Sequence, residues 1–206
     1  MPIRQEPFIT GSYYHIYNRG VDRASVFRNS FDYTHLLSCF DYYRYTHCPM
    51  KFSIFCEAPM DLVSTIRQEQ ETAGQQVRIL AFALMTNHYH LLVWQETDEG
   101  IHRFLFKAMN SFAKYINTKR KRVGPLFQGN FQAVRITSDE QLLHVSRYIH
   151  LNPVVAGMMT LDSLETYPWT SYPQYIGKGS GWVDRTQILD MIGSKEKYIS
   201  FVRDYV

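Results

Sequence analysis

The chain has 206 residues, 45% hydrophobic and 15% aromatic, which suits one domain, or one domain with an appendage, and excludes a disordered polymer. Net charge is only +3, no apolar run approaches the roughly 18 residues of a membrane span, and the start, Met1-Pro2-Ile3-Arg4-Gln5-Glu6, has no apolar signal core. Cys39, Cys48 and Cys56 are an odd number without a Cys-x-x-Cys pair, which argues against a disulfide scaffold or a four-cysteine zinc site and for the reducing cytoplasm.

Tyr13 to Asn18 is aromatic and β-branched and is closed by Gly20, so it reads as a strand. Asn29 or Ser30 caps the next segment, where Leu36, Leu37, Phe40 and Tyr43 recur at helical spacing. Residues 46–76 have no single pattern. They hold Pro49 and Pro59, then a helical stretch from Asp61 to about Glu71 that Gly74 ends. Val77 to Met85 and Tyr89 to Gln95 are two mostly apolar strands. Only Thr86-Asn87-His88 separates them, so they form a hairpin. Gly100 to Arg122 carries Ile101, Phe104, Leu105, Ala108, Phe112, Tyr115 and Ile116 on one stripe and reads as a long amphipathic helix. Gly124-Pro125 and Gly129 mark a loop, and Phe131 to Ile136 another strand. Ser138-x-x-Gln141 is a capping box, starting a helix expected to stop near Asn152 because Pro153 disfavours helical geometry just before it. From Gly157 the chain is aromatic and turn-rich, with helical patterning in its last 20 residues.

The order β-α-β-β-α-β, followed by an extra helix, is the ferredoxin-like α+β pattern: one antiparallel sheet with helices and an aromatic-rich tail. Residues 1–156 are expected to form this domain, and residues 157–206 an extension packed on or beside it.

Charge is unevenly placed. Gly100 to Ser138 contains eight Lys and Arg and no Asp or Glu, so the remainder is net acidic. Such a local basic field points to a polyanion partner, against the plainer reading of a solvated helix face. His88 and His90 lie two apart at a strand start, so both imidazoles face one side of the sheet. Two neutral imidazoles make half of a divalent-metal site; alone, without a third ligand, they suit polar residues at a hairpin start better. Tyr148 and Asn152, four apart, share a helix face, with His150 roughly opposite. Asn offers the hard oxygen that suits Mg²⁺ or Mn²⁺. Among 15 tyrosines, Tyr148 taken alone reads as a packed aromatic sooner than as a nucleophile.

Together these pieces carry a resemblance. Met85-Thr86-Asn87-His88-Tyr89-His90-Leu91-Leu92-Val93 resembles the His-hydrophobe-His motif of the HUH endonucleases. Arg147-Tyr148-Ile149-His150-Leu151-Asn152-Pro153-Val154 resembles the nucleophile helix of the single-tyrosine transposases in that superfamily. Tyr14-His15-Ile16-Tyr17-Asn18-Arg19-Gly20, Gly124-Pro125-Leu126-Phe127-Gln128-Gly129 and Trp169-Thr170-Ser171-Tyr172 match in the same order and point to the REP-associated tyrosine transposase branch.

The resemblance implies a metal-dependent enzyme that cuts and rejoins single-stranded DNA, often beside a hairpin, through a 5′-phosphotyrosine. By carry-over Tyr148 is the nucleophile, and His88, His90 and Asn152 hold Mg²⁺ or Mn²⁺. Related transposases often carry Gln where Asn152 stands. Lys114, Lys119, Arg120, Lys121 and Arg122 are expected on the phosphate backbone, with Asn18, Arg19 and Asn87 flanking the site. Dimers are common in the superfamily, so both a homodimer and a monomer stay open. Two other readings remain: a single-stranded nucleic-acid-binding module derived from such a transposase, and a zinc hydrolase, which lacks a carboxylate base near the His pair.

Overall fold

In β1 (Tyr13–Arg19), Tyr14 and Ile16 are buried while Tyr13, His15 and Tyr17 are half-buried. That alternation divides the molecule into two sides. The computed structural model describes residues 7–205; the Met1 to Glu6 segment read above for its lack of an apolar core lies outside the described residues. Further along run α1 (Ser30–Tyr43), α2 (Phe52–Phe55), α3 (Met60–Ala73), β2 (Val77–Leu84), β3 (His88–Gln95), α4 (Gly100–Lys119), β4 (Gln132–Ile136) and α5 (Asp139–Val155). The strands form one antiparallel sheet in the order β2-β3-β1-β4, the ferredoxin-like arrangement.

Tyr14, Ile16 and Asn18 register with Val93, Leu91 and Tyr89 of β3, and residues directly opposite share a face. This face lies under α1 and α4: the Phe40 ring meets Tyr89 at 6.0 Å and Phe104 at 5.6 Å. Leu36, Phe40, Phe104, Ala108, Phe112 and Ile116 are fully buried there, each large side chain contributing about 2 kcal/mol through area removed from water. α5 covers the other face. Among the described residues, no helix is long and apolar enough to cross a membrane.

Several local signals act as anticipated. Asn29 caps α1 by accepting the Asp32 N–H, and Ser138 caps α5 by accepting that of Gln141. Residues 46–76 resolve into α2 and α3, ended by Gly74 at φ 76°. Two boundaries differ by three residues, the others by fewer. α4 stops at Lys119, three residues early, because Lys121 turns to φ 50°. α5 runs through Pro153 to Val155 instead of stopping near Asn152. Proline removes one N–H donor, which is tolerable when the helix ends two residues later and the Asn152 carbonyl still receives the Ala156 N–H at 2.9 Å.

The tail forms α6 (Leu161–Leu164), α7 (Tyr172–Tyr175), α8 (Thr186–Ile192) and α9 (Lys195–Arg203). It seals the β2 edge. Leu84 N–H donates to Trp169 O at 2.8 Å, Ser171 N–H to Phe82 O at 3.0 Å, and Asp184 N–H to Ile79 O at 3.0 Å. Tyr175 Oη donates to Leu80 O at 2.8 Å. An edge strand with unpaired backbone groups invites foreign pairing, and these bonds occupy it.

Candidate active site

The α5 face of the sheet is floored by three rows of side chains set by register. His90, Tyr17 and Gln132 form one row across β3, β1 and β4; Leu92, His15 and Val134 form the next; His88 stands opposite Arg19. α5 forms a wall, with Tyr148 and Asn152 one turn apart. Between them lies an open cleft of about 820 Å³ lined by all of His15, Tyr17, Asn18, Arg19, His88, His90, Tyr148 and Asn152. The cleft thus brings together the four residues expected to carry chemistry.

Tyr148 is 47% exposed, and its ring stands edge-on to His90 at 5.6 Å and to His15 at 5.8 Å. His90 Nδ1 and His15 Nε2 are 2.9 Å apart and share one proton. His88 Nδ1 donates to Asn87 Oδ1 at 2.7 Å. With its proton on Nδ1, His88 keeps a lone pair on Nε2. His90 keeps one likewise when its Nδ1–H donates to His15. Such bonds preset imidazole tautomers for metal ligation.

Electrostatics keep these rings neutral. Burial lowers His15 to about 4. Burial, reinforced by His15, His88 and Arg19, lowers His90 to about 2. His88 is also lowered, by burial and then Arg19, against an opposing hydrogen bond to the Asn152 side chain. Among the described residues no three His, Cys, Asp or Glu side chains cluster as a metal site. The available set is therefore two neutral imidazoles plus the Asn152 carboxamide oxygen. It fits a hard divalent cation that keeps water and substrate oxygens as its other ligands.

Sequence reasoning missed His15, Tyr17, Gln128 and Gln132. His15 and Tyr17 do carry a signal, as the polar half of an alternating strand, but only the β1–β3 register puts His15 beside His90.

The residues expected on DNA separate into distinct places. Arg19 is exposed at the cleft. Asn18 lines it but is buried, accepting the Arg19 N–H at 2.8 Å and donating to Gly129 O at 3.5 Å. Both ends of the Asn87 carboxamide are used, by His88 and by the Arg23 carbonyl at 2.9 Å. Lys119 and Arg120 close on the buried Asp32 carboxylate at 2.7 and 2.5 Å. Burial alone would raise Asp32; the Lys119, Arg28 and Arg120 hydrogen bonds overcome it and hold the carboxyl below its ordinary range. Lys114 and Lys121 are exposed outside the cleft, and Arg122 donates to Pro125 O at 3.1 Å. The loop after them returns to the cleft mouth, where Gln128 N–H donates to Arg19 O at 2.8 Å.

No protein-family model matches the chain, and none of the curated proteins matches it in sequence. Among solved structures, a REP-associated tyrosine transposase bound to a REP hairpin is similar at TM-score 0.56 and 15% identity, over 90% of this chain and 94% of that one. At this identity the likeness bears on the fold.

Proposed function

We propose that the chain is a metal-dependent, single-tyrosine endonuclease and strand transferase acting on single-stranded DNA beside hairpins. The observation that carries this reading is the meeting of Tyr148, His88, His90 and Asn152 in one cleft, from two elements distant in sequence. The DNA hairpin bound by the structural neighbour supports the choice of substrate.

His88, His90 and Asn152 would hold Mg²⁺ or Mn²⁺. A divalent ion bound there neutralises a non-bridging phosphate oxygen and helps align the phosphodiester. The protein supplies the rest. Asn87 and His15 fix the two imidazoles. Tyr148 Oη attacks phosphorus, forming the phosphotyrosine bond as the bond to the 3′ oxygen breaks. The phenolic proton is released and the departing 3′ oxygen gains one, giving a 3′-hydroxyl. The ester preserves the phosphodiester's bond energy, so a 3′-hydroxyl can reverse the step and join a new strand. Arg19 places positive charge at the cleft mouth for the incoming backbone.

The test is covalent capture on hairpin-bearing single strands with Mg²⁺, Mn²⁺ or EDTA. The expected outcome is a metal-dependent adduct on Tyr148, absent in Tyr148→Phe, which still binds DNA. Cleavage by Tyr148→Phe at the wild-type rate would remove Tyr148 from its role. Among the described residues no three His, Cys, Asp or Glu side chains are grouped to hold a metal, since His15 spends its Nε2 on His90, and this favours a second reading, a non-catalytic single-strand-binding module. It predicts affinity insensitive to metal and no adduct on any strand.

A further inference from the structure

The β4 side of the cleft is lined differently from the α5 side, which carries Tyr148 and Asn152. Its floor is the Tyr17 ring, half-buried and within 5.8 Å of His90 and 5.2 Å of His15. Its rim carries Gln132 and Gln128, both exposed and both lining the cleft. Gln132 sits in the His90–Tyr17 row, two strand spacings from His90, or about 10 Å between backbones. Gln128 is held beside Arg19 by its own backbone N–H and by the adjacent Gly20–Phe127 bridge. Neither carboxamide hydrogen-bonds a protein group among the described residues, in contrast to Asn18 and Asn87.

A flat ring with free amides at its edge is poorly suited to phosphate, which takes cations. It suits an unpaired nucleobase. The ring offers a stacking surface, and each carboxamide offers one acceptor and two donors to the base edge. Resting on the function proposed above, we infer that Tyr17, Gln128 and Gln132 form a base-reading subsite. It takes the nucleobase next to the scissile phosphate, so part of the sequence choice is made by side chains in the cleft. The division of labour follows from the chemistry. Tyr17 supplies affinity without regard to base identity, because every base has a stacking face, and the two glutamines discriminate.

The experiment is capture from a hairpin library randomised around the cleavage region, with sequencing of the strands linked to Tyr148. The proteins are wild type, the double variant Gln128→Ala/Gln132→Ala, Tyr17→Ala, Tyr17→Phe, and Gln68→Ala as an exposed carboxamide on α3 outside the cleft. Wild type and Gln68→Ala should favour one base at a nucleotide flanking the link by on the order of tenfold. The double variant should flatten that position towards equality. Tyr17→Ala should lower capture of all four bases by on the order of tenfold, and Tyr17→Phe should restore it. A wild-type preference retained by the double variant, or undiminished capture by Tyr17→Ala, overturns the subsite.

If wild type captures nothing, the strand-transferase reading fails by itself. The subsite is then decided by equilibrium binding of dA, dC, dG and dT oligomers to Tyr148→Phe protein carrying the same substitutions. Unequal affinities levelled by the glutamine changes uphold it. Equal affinities, or inequality that survives those changes, refute it.

Discussion

α5 presents two opposite sides, and each has a histidine region. On the inner side His150 is fully buried, with Nδ1 2.8 Å from Tyr198 Oη and Nε2 2.7 Å from Ser171 Oγ. Tyr198 also meets Ser146, and Ser171 accepts the Phe82 N–H. On the outer side Tyr148 and Asn152 face His88, His90 and His15 across the cleft. Burial lowers His150 to about 3, much as it lowers His90 to about 2. Depth and acidity therefore do not separate the two regions; spent valence does. Both nitrogens of His150 are engaged by tail residues, Tyr198 and Ser171, so it ties the tail to the helix carrying Tyr148. His88 and His90 each spend one nitrogen on a neighbour in the sheet or its hairpin, and each lines the cleft, where His88 also meets the Asn152 side chain.

The largest expected effect tests the open side. Under the proposed function, His90→Ala would remove a ligand for the ion that neutralises phosphate, an effect of several kcal/mol, so cleavage should fall about a thousandfold or more. Mn²⁺ binding followed by calorimetry should weaken in step. Unchanged Mn²⁺ affinity would mean the ion is held elsewhere. His15→Ala should weaken Mn²⁺ binding about 10–100-fold by leaving the His90 ring without its partner, while His15→Gln, which keeps an acceptor, should recover most of it. Equal affinity in wild type and His15→Ala would reduce the 2.9 Å contact to packing.

The closed side should answer in stability instead. His150→Phe leaves Tyr198 and Ser171 short of one partner each, at a cost of about 1–3 kcal/mol, or several degrees in Tm for a chain of this length, with Mn²⁺ affinity as in wild type. The metal-free protein should also show the linkage in its pH dependence. His150 is near 6.5 when unfolded and about 3 when folded, so between those values the unfolded chain binds the extra proton. The stability contributed by the neutral folded ring is complete above pH 6.5 and declines as pH falls towards 3. His150→Phe should flatten that acid limb by up to about 1.4 kcal/mol per pH unit, the limit for one proton. An unaltered slope would show that His150 does not stay neutral through that range.

Much of this contrast can be read from spacing within single elements. The period-two strand from His88 to Gln95 and the four-residue step from Tyr148 to Asn152 each place a pair of side chains without knowledge of a partner. The ferredoxin-like order is equally local, since periodicity and caps define its strands and helices one at a time. What escaped depended on pairing at long range. His15 lies 75 positions from His90, and the β1–β3 register joins them. The Tyr17–Gln132 row likewise exists only once β4 pairs with β1. α5 overran its expected end because a proline near a helix terminus forfeits little.

The basic run after α4 carries the same distinction between spent and open groups into charge, and gives the smallest effect. Lys119 and Arg120 look like Lys121 and Arg122 in sequence, yet the first two neutralise Asp32 from 87 and 88 positions away. Lys121 is exposed and has no ion pair among the described residues, and Arg122 reaches only a carbonyl. Cations already paired with a buried carboxylate release few counterions when DNA arrives, whereas open ones release nearly their full share. Lys121→Ala/Arg122→Ala should therefore make the slope of log affinity against log salt shallower by about 0.7 per lost phosphate contact on a single strand. Lys119→Ala should leave that slope close to wild type and lower Tm, because it strips one of two cations from a buried charge. A slope that responds equally to all three changes would place the whole run on the DNA and confine the distinction to the histidines.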